Sequence, residues 1–338
     1  MKKIAVIGGS GFLGTRLVDR LRATCKTYKI FDIENTNKDE HFMNLDVEDQ
    51  ISLDKLDSYE TIINLAAVHR DDIRPLSKYD DVNVQGAVNI CNAARKHNIK
   101  EIIFTSSVAI YGFAPPNTDE SGEVNFFNDY GRTKYLAENV YKKWYEEDPD
   151  NRKLVVIRPT VIFGEGNRGN VYNLLNQIAS KRFVMLGNGE NRKSMAYVEN
   201  VASFIEYCLK YNSGLFIFNY IDKPDFNMNT LISFARKVLF GKQDIGFRLP
   251  GFIGLFIGYI ADVIRFLIRI DLPISSIRVK KFMGTTQFNS SISKTDFIAP
   301  YSLEEGLEKT IRYEFIEDNS SNRTFDTEWW SEWFTACK

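Results

Sequence analysis

Short apolar runs alternate with amphipathic segments through the first half of the chain. The runs are rich in Val, Ile and Phe, which is typical of strands buried in a parallel sheet, and the segments between them repeat apolar residues at helical spacing. The predicted strands are Ile4–Ile7, Tyr28–Phe31, Thr61–Leu65, Glu101–Thr105 and Lys153–Arg158, and the predicted helices include Phe12–Thr24 and Val82–Lys96. This alternation predicts an α/β fold with a doubly wound parallel sheet of the Rossmann type.

The first predicted strand runs directly into a glycine-rich turn, GGSGFLG, which is followed by a helix. We expect Gly8 to permit the turn, Gly11 to let the backbone approach a phosphate, and Gly14 to bring the helix close to its strand. The helix begins at Phe12 and Leu13, where backbone N–H groups and the helix dipole favour an anion. Glycine turns also serve structure alone, but the strand and helix around this one predict a dinucleotide site.

Acidic residues follow two of the predicted strands. Asp32 ends the second strand, where a carboxylate binds the adenosine ribose hydroxyls and repels a 2′-phosphate, so NAD is favoured over NADP. Asp46 and Val47 follow another short strand, and the Asp46 carboxylate is placed to accept a hydrogen bond from the adenine amino group. A solvated loop carboxylate explains Asp46 equally well.

Ligands of parallel sheets bind outside the carboxyl ends of the strands, so the residues at those ends are further candidates. Leu65, Ala66 and Ala67 end the strand after Thr61, and the two small alanines would let a cofactor lie against the backbone. Close packing alone is the alternative for the alanine pair. Asn83, Tyr130, Lys134 and Pro159 complete the set of predicted NAD contacts.

Ser107, Tyr130 and Lys134 are the candidate catalytic residues. The sequence Tyr130-Gly-Arg-Thr-Lys134 places the lysine one helical turn after the tyrosine, on the same face. A phenol ionises near pH 10, and a nearby ammonium together with an oxidised nicotinamide would stabilise the phenolate. Tyr130 would then accept a proton from a substrate hydroxyl, and Ser107 would hold the same oxygen. A Tyr-x-x-x-Lys sequence is common by chance, and only the combination with the glycine turn makes it specific.

The motifs GGSGFLG, NLAA, TSSVAIYG and YGRTK occur in the order found in the extended short-chain dehydrogenase/reductases, which the chain resembles. The resemblance implies that Ser107, Tyr130 and Lys134 are the catalytic residues. Dehydratases of this class carry an Asp-Glu pair directly after the serine or threonine, whereas Val108 and Ala109 stand there in this chain. The resemblance therefore implies a sugar 4-epimerase or a 4-keto sugar reductase.

Longer stretches, including RPTVIFGEGNRGNVYNLL, RKSMAYVENV and SSIRVKKFMGTTQF, resemble bacterial 4-epimerases that act on N-acetylglucosaminyl diphospho-undecaprenol. This resemblance implies inversion at C4 of a sugar carried on a lipid, as in the synthesis of surface polysaccharides such as O-antigen. It extends to about Phe315 and leaves Glu317–Lys338 outside. Val68 departs from it, because an acidic residue is expected there.

The chain is expected to divide into an NAD-binding portion (1–160), a substrate-binding portion (161–316) and a C-terminal tail (317–338). Arg168, Asn170, Arg192 and Lys193 are candidates for binding the substrate, alongside Ser107 and Tyr130. The basic residues among them would bind its diphosphate. Any single basic residue is more often ordinary surface charge.

The segment 252–270, FIGLFIGYIADVIRFLIRI, predicts a helix with an unusual surface. Its small or charged residues form one narrow stripe, and the rest of its surface is almost wholly apolar; the stripe comprises Gly254, Gly258, Asp262, Arg265 and Arg269. Charges are costly inside a bilayer, so we expect the helix to lie in the membrane interface. A buried helix of the substrate portion is the alternative.

Two neighbouring features would support membrane contact. Arg278, Lys280 and Lys281 would meet anionic head groups or the substrate diphosphate, although a solvated basic face is the plainer explanation. The aromatic segment Trp329–Phe334 is a second candidate anchor, and packing on its own domain is the simpler explanation.

Composition excludes several classes of function. The 338 residues carry a net charge of −1 without a basic stripe, so nucleic-acid binding is not expected. The four cysteines and three histidines form no paired or clustered spacing, so we expect reduced thiols in a cytoplasmic protein and no metal site. The apolar helix and the resemblance imply a place at the inner face of the membrane. The chain leads directly into the first strand, so no signal peptide is expected. A homodimer through Val82–Lys96 and Tyr130–Trp144 is implied by the resemblance alone.

Three alternatives stay open at this point. A soluble epimerase would act on UDP-N-acetylglucosamine or UDP-glucose. A reductase of a 4-keto-6-deoxy nucleotide sugar would exchange NADPH freely, which Asp32 argues against. A redox-sensing regulatory protein would bind the dinucleotide without catalysis, which the intact Ser107, Tyr130 and Lys134 argue against.

Overall fold

The computed structural model describes residues 2–36, 38–70, 73–268, 275–319 and 321–325. A central sheet of seven parallel strands has the order β3-β2-β1-β4-β5-β6-β10. Its strands are β1 (Lys3–Ile7), β2 (Thr27–Asp32), β3 (Phe42–Asn44), β4 (Thr61–Asn64), β5 (Glu101–Thr105), β6 (Lys153–Pro159) and β10 (Gly214–Tyr220). This order confirms the predicted doubly wound Rossmann sheet.

Helices cover both faces of this sheet and build the second half of the chain. They are α1 (Phe12–Ala23), α2 (Ser77–Tyr79), α3 (Gly86–Lys96), α4 (Asp129–Glu146), α5 (Asn170–Ala179), α6 (Val198–Tyr207), α7 (Met228–Phe240), α8 (Gly251–Ile268), α9 (Ser276–Met283) and α10 (Leu303–Phe315). Two apolar clusters fill the space between the sheet and the helices on either side of it. A third cluster forms beneath α5, α7 and α10.

Two smaller sheets lie in the second half. One contains β7 (Val161–Phe163), β9 (Arg192–Tyr197) and β11 (Asp222–Asn227), and the other pairs β8 (Met185–Leu186) with β12 (Arg248–Leu249). The predicted division at residue 160 stays a prediction. The central sheet crosses it, because β10 pairs with β6 along its whole length and α6 packs on α1.

The predicted and observed elements agree closely except at the start of the helix predicted over Val82–Lys96. There the structure has a wide helical turn over Asp80–Gln85, and regular α-helix begins only at Gly86. Apolar spacing does not separate these two kinds of turn, since both place the same side chains on the buried face.

Candidate active site

The glycine turn lies at the point where the strand order reverses, between β1 and β4. Gly8 has a φ of +78°, and a Cβ on it would lie 2.6 Å from the backbone nitrogen of Ala66. A Cβ on Gly14 would lie 2.4 Å from the Gly8 carbonyl oxygen. Gly8 therefore permits the turn and Gly14 permits close packing of helix on strand, as predicted.

The N-terminus of α1 is open to a ligand. Gly11 precedes the helix without a side-chain cap, and the first turn contains no acidic residue. The backbone N–H groups of Phe12 and Leu13 have no partner inside the helix, because the first four N–H groups of a helix never do. Their side chains pack into the apolar clusters below. A glycine cradle, free amides and the positive end of the helix dipole together fit the diphosphate of a dinucleotide.

Asp32 ends β2 beside this turn. Its carboxylate accepts hydrogen bonds from the backbone N–H groups of Ser10, at 3.0 Å, and Ile33, at 2.8 Å. Burial raises the pKa of Asp32, and these two hydrogen bonds oppose the rise. The carboxylate is thus held rigidly at the edge of the turn, where the sequence predicts contact with ribose hydroxyls.

The loop after β4 is held in place by Asn83. The Asn83 side chain accepts a hydrogen bond from the Val68 N–H at 2.8 Å and donates to the Val68 carbonyl and the Thr133 hydroxyl, both at 2.9 Å. Its polar atoms are therefore used in joining the 65–68 loop to α4. A direct contact of Asn83 with a cofactor stays a prediction. In the structure, the Asn83 side chain positions the 65–68 loop.

The Asp46 carboxylate is also engaged within the protein. It accepts a hydrogen bond from the Glu48 N–H at 2.9 Å, while the neighbouring Val47 is buried against Gly86. The backbone of Ala66 packs against Gly8, as described above. Pro159 is the last residue of β6, at the carboxyl-end edge of the central sheet. These residues lie at the carboxyl ends of the strands of the central sheet. Their contacts with a cofactor stay predictions.

The Ser107 side chain lies close enough to the Tyr130 phenol to lower its pKa. Ser107 begins the short helix Val108–Tyr111, where its Oγ accepts from the Ala109 N–H at 3.1 Å. Tyr130 and Lys134 lie one turn apart on α4, which Asn128 caps. The structure therefore brings the three predicted catalytic residues together near the carboxyl end of β5.

Burial governs the pKa values of the tyrosine and the lysine. Burial raises the pKa of Tyr130, and Ser107 acts in the opposite direction. Burial lowers the pKa of Lys134 to about 7. The Lys134 ammonium lies 4.4 Å from the centre of the Phe104 ring. In the protein alone, burial outweighs the opposing effect of Ser107 on the phenol pKa, so the predicted activation of Tyr130 depends on the charges of Lys134 and of an oxidised nicotinamide.

A buried ion pair supports α4 from below. The carboxylate of Glu138, one turn after Lys134, accepts two hydrogen bonds from Arg158 of β6, at 2.9 and 2.7 Å. The negative charge of Glu138 favours the charged form of Lys134 and so opposes the effect of burial on its pKa. Neither Glu138 nor Arg158 was predicted, because no local motif links them.

The candidate substrate-binding residues differ in their contacts and in their exposure to solvent. Arg168 pairs with the buried carboxylate of Glu314 and lies 4.2 Å over the Tyr172 ring, so its contacts hold the loop together. Arg192 and Asn170 are exposed. Lys193 donates to the carbonyls of Lys281, at 2.9 Å, and Gly284, at 2.6 Å, and burial lowers its pKa to about 8.

The predicted stripe of α8 faces the protein at three of its five positions. A Cβ on Gly254 would meet Leu186, and one on Gly258 would meet the backbone of Ser276, while Asp262 accepts a hydrogen bond from the Ser276 N–H at 3.2 Å. Arg265 is exposed, and Arg269 lies outside the described residues.

The opposite face of α8 is apolar and open to solvent, reaching 73% exposure at Phe252 and 83% at Phe266. We call this face the α8 surface; it comprises Phe252, Phe256, Tyr259, Ile260, Val263, Phe266 and Leu267. The alternative of a buried helix is wrong, because most of the large apolar side chains of α8 are exposed. In the part of the chain that the structure describes, no helix has both the length and the apolarity needed to span a bilayer.

The C-terminal segment 321–325 reaches the cofactor cleft, which sequence patterns did not indicate. Phe325 exchanges backbone hydrogen bonds with Gly166 and Arg168, at 2.7 and 2.8 Å, and its ring lies 5.6 Å from that of Phe12. Arg323 donates a hydrogen bond to the Thr36 hydroxyl and lies close enough to Asp32 to lower its pKa. Trp329–Phe334, the predicted second anchor, lies outside the described residues.

Metal and disulfide sites were not expected. Cys25, Cys91 and Cys208 are free thiols, and Cys337 lies outside the described residues. The structure, as far as it is described, contains no cluster of three or more His, Cys, Asp or Glu side chains arranged to hold a metal ion.

The amino-acid sequence is similar to a known family and to several named epimerases. The sequence model of the NAD dependent epimerase/dehydratase family matches residues 4–218. The N-acetyl-alpha-D-glucosaminyl-diphospho-ditrans,octacis-undecaprenol 4-epimerase of Escherichia coli O157:H7 is 46% identical over 334 residues, covering 96% of this chain and 99% of that protein. A putative UDP-glucose 4-epimerase of Methanocaldococcus jannaschii is 29% identical and covers 72% of this chain and 83% of its own.

Solved structures share the fold. The UDP-N-acetylglucosamine 4-epimerase of Bacillus cereus superimposes with a TM-score of 0.72 at 18% identity, covering 92% of this chain and 98% of that one. The UDP-glucose 4-epimerase of Thermotoga maritima, with UDP-glucose, gives 0.71 at 20% identity with the same coverage. At these identities the likeness concerns the fold alone.

Proposed function

We propose a function that proceeds from one premise, which is that the chain belongs to the NAD dependent epimerase/dehydratase family. The protein inverts C4 of N-acetylglucosamine carried on undecaprenyl diphosphate and so forms the N-acetylgalactosamine product, in the synthesis of a surface polysaccharide. The observation that carries this proposal is the 46% identity, over nearly the whole of both chains, with a relative named for that reaction.

Epimerisation at C4 fits the chemistry of Ser107, Tyr130 and Lys134. Tyr130 accepts the proton of the C4 hydroxyl, and the Ser107 hydroxyl, which lies near the phenol, holds the same oxygen. NAD, when bound, supplies the acceptor and the donor of the C4 hydride. The Lys134 ammonium favours the phenolate by its charge. The 4-keto sugar then presents its other face, and Tyr130 returns the proton to the oxygen, so the reaction consumes no reductant.

The cofactor is held by the chain's own backbone and one carboxylate. The amides of Phe12 and Leu13 would bind its diphosphate and Asp32 its adenosine ribose. Val108 and Ala109, which follow Ser107, have no ionisable side chain, so the site lacks the acid and base that dehydration requires. Epimerisation is therefore favoured over dehydration.

The α8 surface supports a substrate whose lipid stays in the membrane. We propose that this surface enters the cytoplasmic leaflet while the small-residue stripe packs on the protein. Three cationic residues lie on α9, the helix that comes next after α8 in the chain; they are Arg278, Lys280 and Lys281. Anionic head groups would attract these charges, which fits an interfacial helix better than a spanning one.

The substrate diphosphate is the ligand proposed for Lys193 and Arg192, at the start of β9. The Lys193 ammonium is partly buried and donates to the carbonyl oxygens of Lys281 and Gly284, which carry no full charge, so an anion would stabilise it. Asn170 at the start of α5 stays a weaker candidate, and so does Arg168, whose charge Glu314 already balances. A homodimer through α3 and α4 stays a prediction, which size-exclusion chromatography with light scattering would test.

The test uses the purified protein without added cofactor. It is incubated with undecaprenyl-diphospho-N-acetylglucosamine in vesicles and, in parallel, with UDP-N-acetylglucosamine, and the sugar configuration is read after hydrolysis. Conversion of the lipid-linked sugar is the expected result. Conversion of the UDP sugar alone would make this a soluble epimerase, and turnover only with added reduced cofactor and a keto sugar would make it a reductase.

A further inference from the structure

Two exposed phenylalanines beside the active site form a small aromatic platform. The rings of Phe113 and Phe127 lie 5.0 Å apart at 35°, yet Phe113 is 65% exposed and Phe127 49% exposed. Single exposed apolar side chains are ordinary on protein surfaces. Two that contact each other and still remain about half exposed or more form a surface suited to an apolar ligand.

The platform is attached to both segments that carry the catalytic residues. Phe127 lies three positions before Tyr130, next to the α4 cap Asn128, and Phe113 follows the short helix that Ser107 begins. These two segments are packed together, since a Cβ on Gly112 would lie 2.0 Å from the Asn125 carbonyl oxygen. The position of the platform is therefore fixed relative to Ser107 and Tyr130.

Helix α9 connects the platform to the α8 surface. The Lys281 ammonium lies 4.4 Å from the centre of the Phe127 ring, and the Lys280 ammonium lies 5.4 Å from the Tyr259 ring of α8. The Lys281 carbonyl accepts a hydrogen bond from Lys193. The ammonium groups of Lys281 and Lys280 thus lie beside the platform and the α8 surface, respectively, and Lys193 contributes a third positive charge next to Lys281.

This combination of positive charges with neighbouring apolar surfaces suits one class of molecule. A polyprenyl diphosphate sugar carries, in sequence, a sugar, two phosphates and an unsaturated hydrocarbon chain. We propose that Phe113 and Phe127 bind the isoprene units nearest the diphosphate, with Lys281 beside the phosphates, and that the chain continues from there to the α8 surface. The inference rests on the proposed function and adds to it the residues that select an isoprenoid over a uridine.

Two variants and one short substrate test the subsite. N-acetylglucosamine diphosphate linked to a two-isoprene alcohol dissolves without vesicles, so it does not depend on the α8 surface. We expect Phe113→Ser and Phe127→Ser to raise its KM about tenfold each with kcat nearly unchanged, because the lost contact is made equally in the ground and transition states. Thermal unfolding and retained NAD should match the parent protein, since both rings are exposed.

The matched control is Phe256→Ser on the α8 surface. It should leave the short substrate unaffected and weaken turnover of the undecaprenyl substrate in vesicles. An unchanged KM for the short substrate in both platform variants would overturn the subsite while leaving the proposed function intact. If the parent protein converts only UDP-N-acetylglucosamine, the proposed function fails, and a raised KM for that substrate would reassign the platform to the uracil ring.

Discussion

Glu138 and Arg158 form a bidentate ion pair beneath the catalytic helix, and both side chains are almost completely buried. The pair ties α4 to β6 and places a negative charge one turn below Lys134. Buried pairs of this kind contribute little net free energy when intact, but removing one partner leaves an uncompensated charge in the interior.

We therefore expect Glu138→Gln to lower the free energy of unfolding by about 3–5 kcal/mol, because Arg158 loses its partner charge. Urea denaturation followed by circular dichroism measures this. The exposed pair of Glu308 with Arg312 is the control, and Glu308→Gln should cost less than about 1 kcal/mol. Equal effects of the two substitutions would show that the buried pair is not what holds α4 in place.

Tyr130→Phe should abolish epimerisation while leaving the fold and the retained NAD unchanged. The substitution removes only the hydroxyl that accepts the C4 proton, and a positioned acid–base group contributes about 10²–10⁴-fold to the rate. The assay is conversion of the lipid-linked sugar under single-turnover conditions. Tyr145→Phe, near the other end of α4, is the control. Full activity of the Tyr130 variant would contradict the proposed mechanism.

The glycine turn and the catalytic helix were predictable because their signals are local. The turn needs a positive φ and close approach within seven residues, and Tyr130 and Lys134 share a face because of helical spacing alone. The stripe of α8 was predictable for the same reason. Periodicity also gave its orientation, since Gly254 and Gly258 face the protein.

Contacts between distant segments were not predictable. Arg168 carries a charge suited to a diphosphate, but its partner Glu314 lies 146 residues away, and only the fold shows that the charge is already balanced. Arg323 meets Thr36 across 287 residues. The direction of the Tyr130 pKa shift was also hidden, because burial is a property of the packed structure and not of the motif.

Gly14→Ala should destabilise the protein and reduce retained NAD. The helix itself would favour alanine, but the new Cβ would lie 2.4 Å from the Gly8 carbonyl oxygen, so the glycine turn must shift. We expect a loss of about 1–3 kcal/mol, which is usual for overpacking. Gly241→Ala is the matched comparison, because its Cβ meets nothing within 4 Å and only its φ of +68° is unfavourable. Retained NAD should fall in the Gly14 variant alone.

Lys134 should make stability depend on pH. Burial lowers its pKa to about 7 in the folded protein, whereas an unfolded lysine has a pKa near 10.4. Between these values the unfolded chain binds more protons, so the contribution of Lys134 to the free energy of unfolding rises with pH, by about 1.4 kcal/mol per unit.

The measurement compares the parent protein with Lys134→Met in urea at pH 7 and at pH 10. The methionine variant should be favoured more at pH 7, and its advantage should shrink by several kcal/mol at pH 10. Taking the difference removes the contribution of Lys193, whose pKa is also lowered. Lys242→Met, in an exposed loop, should show an offset that does not change with pH. A constant difference for Lys134→Met would contradict the low pKa.

Arg323→Ala should weaken the retention of NAD. Arg323 donates to the Thr36 hydroxyl, Thr36 donates to the Ser10 carbonyl at 3.2 Å, and the Ser10 N–H donates to Asp32 at 3.0 Å, so the C-terminal segment is joined to the ribose carboxylate through three hydrogen bonds. An epimerase must keep its cofactor through the whole reaction, and loss of a charged donor at this corner should raise the Kd for NAD about tenfold.

Calorimetric titration of NAD into stripped protein measures this Kd, and the NAD released on heat denaturation measures retention. Arg312→Ala on α10 removes an exposed guanidinium of equal charge and should change neither quantity. Added NAD should restore activity to the Arg323 variant if the arginine acts on binding alone. A Kd equal to that of the parent protein would mean that segment 321–325 only covers Phe12, and the adenosine end of the cleft would then be complete without it.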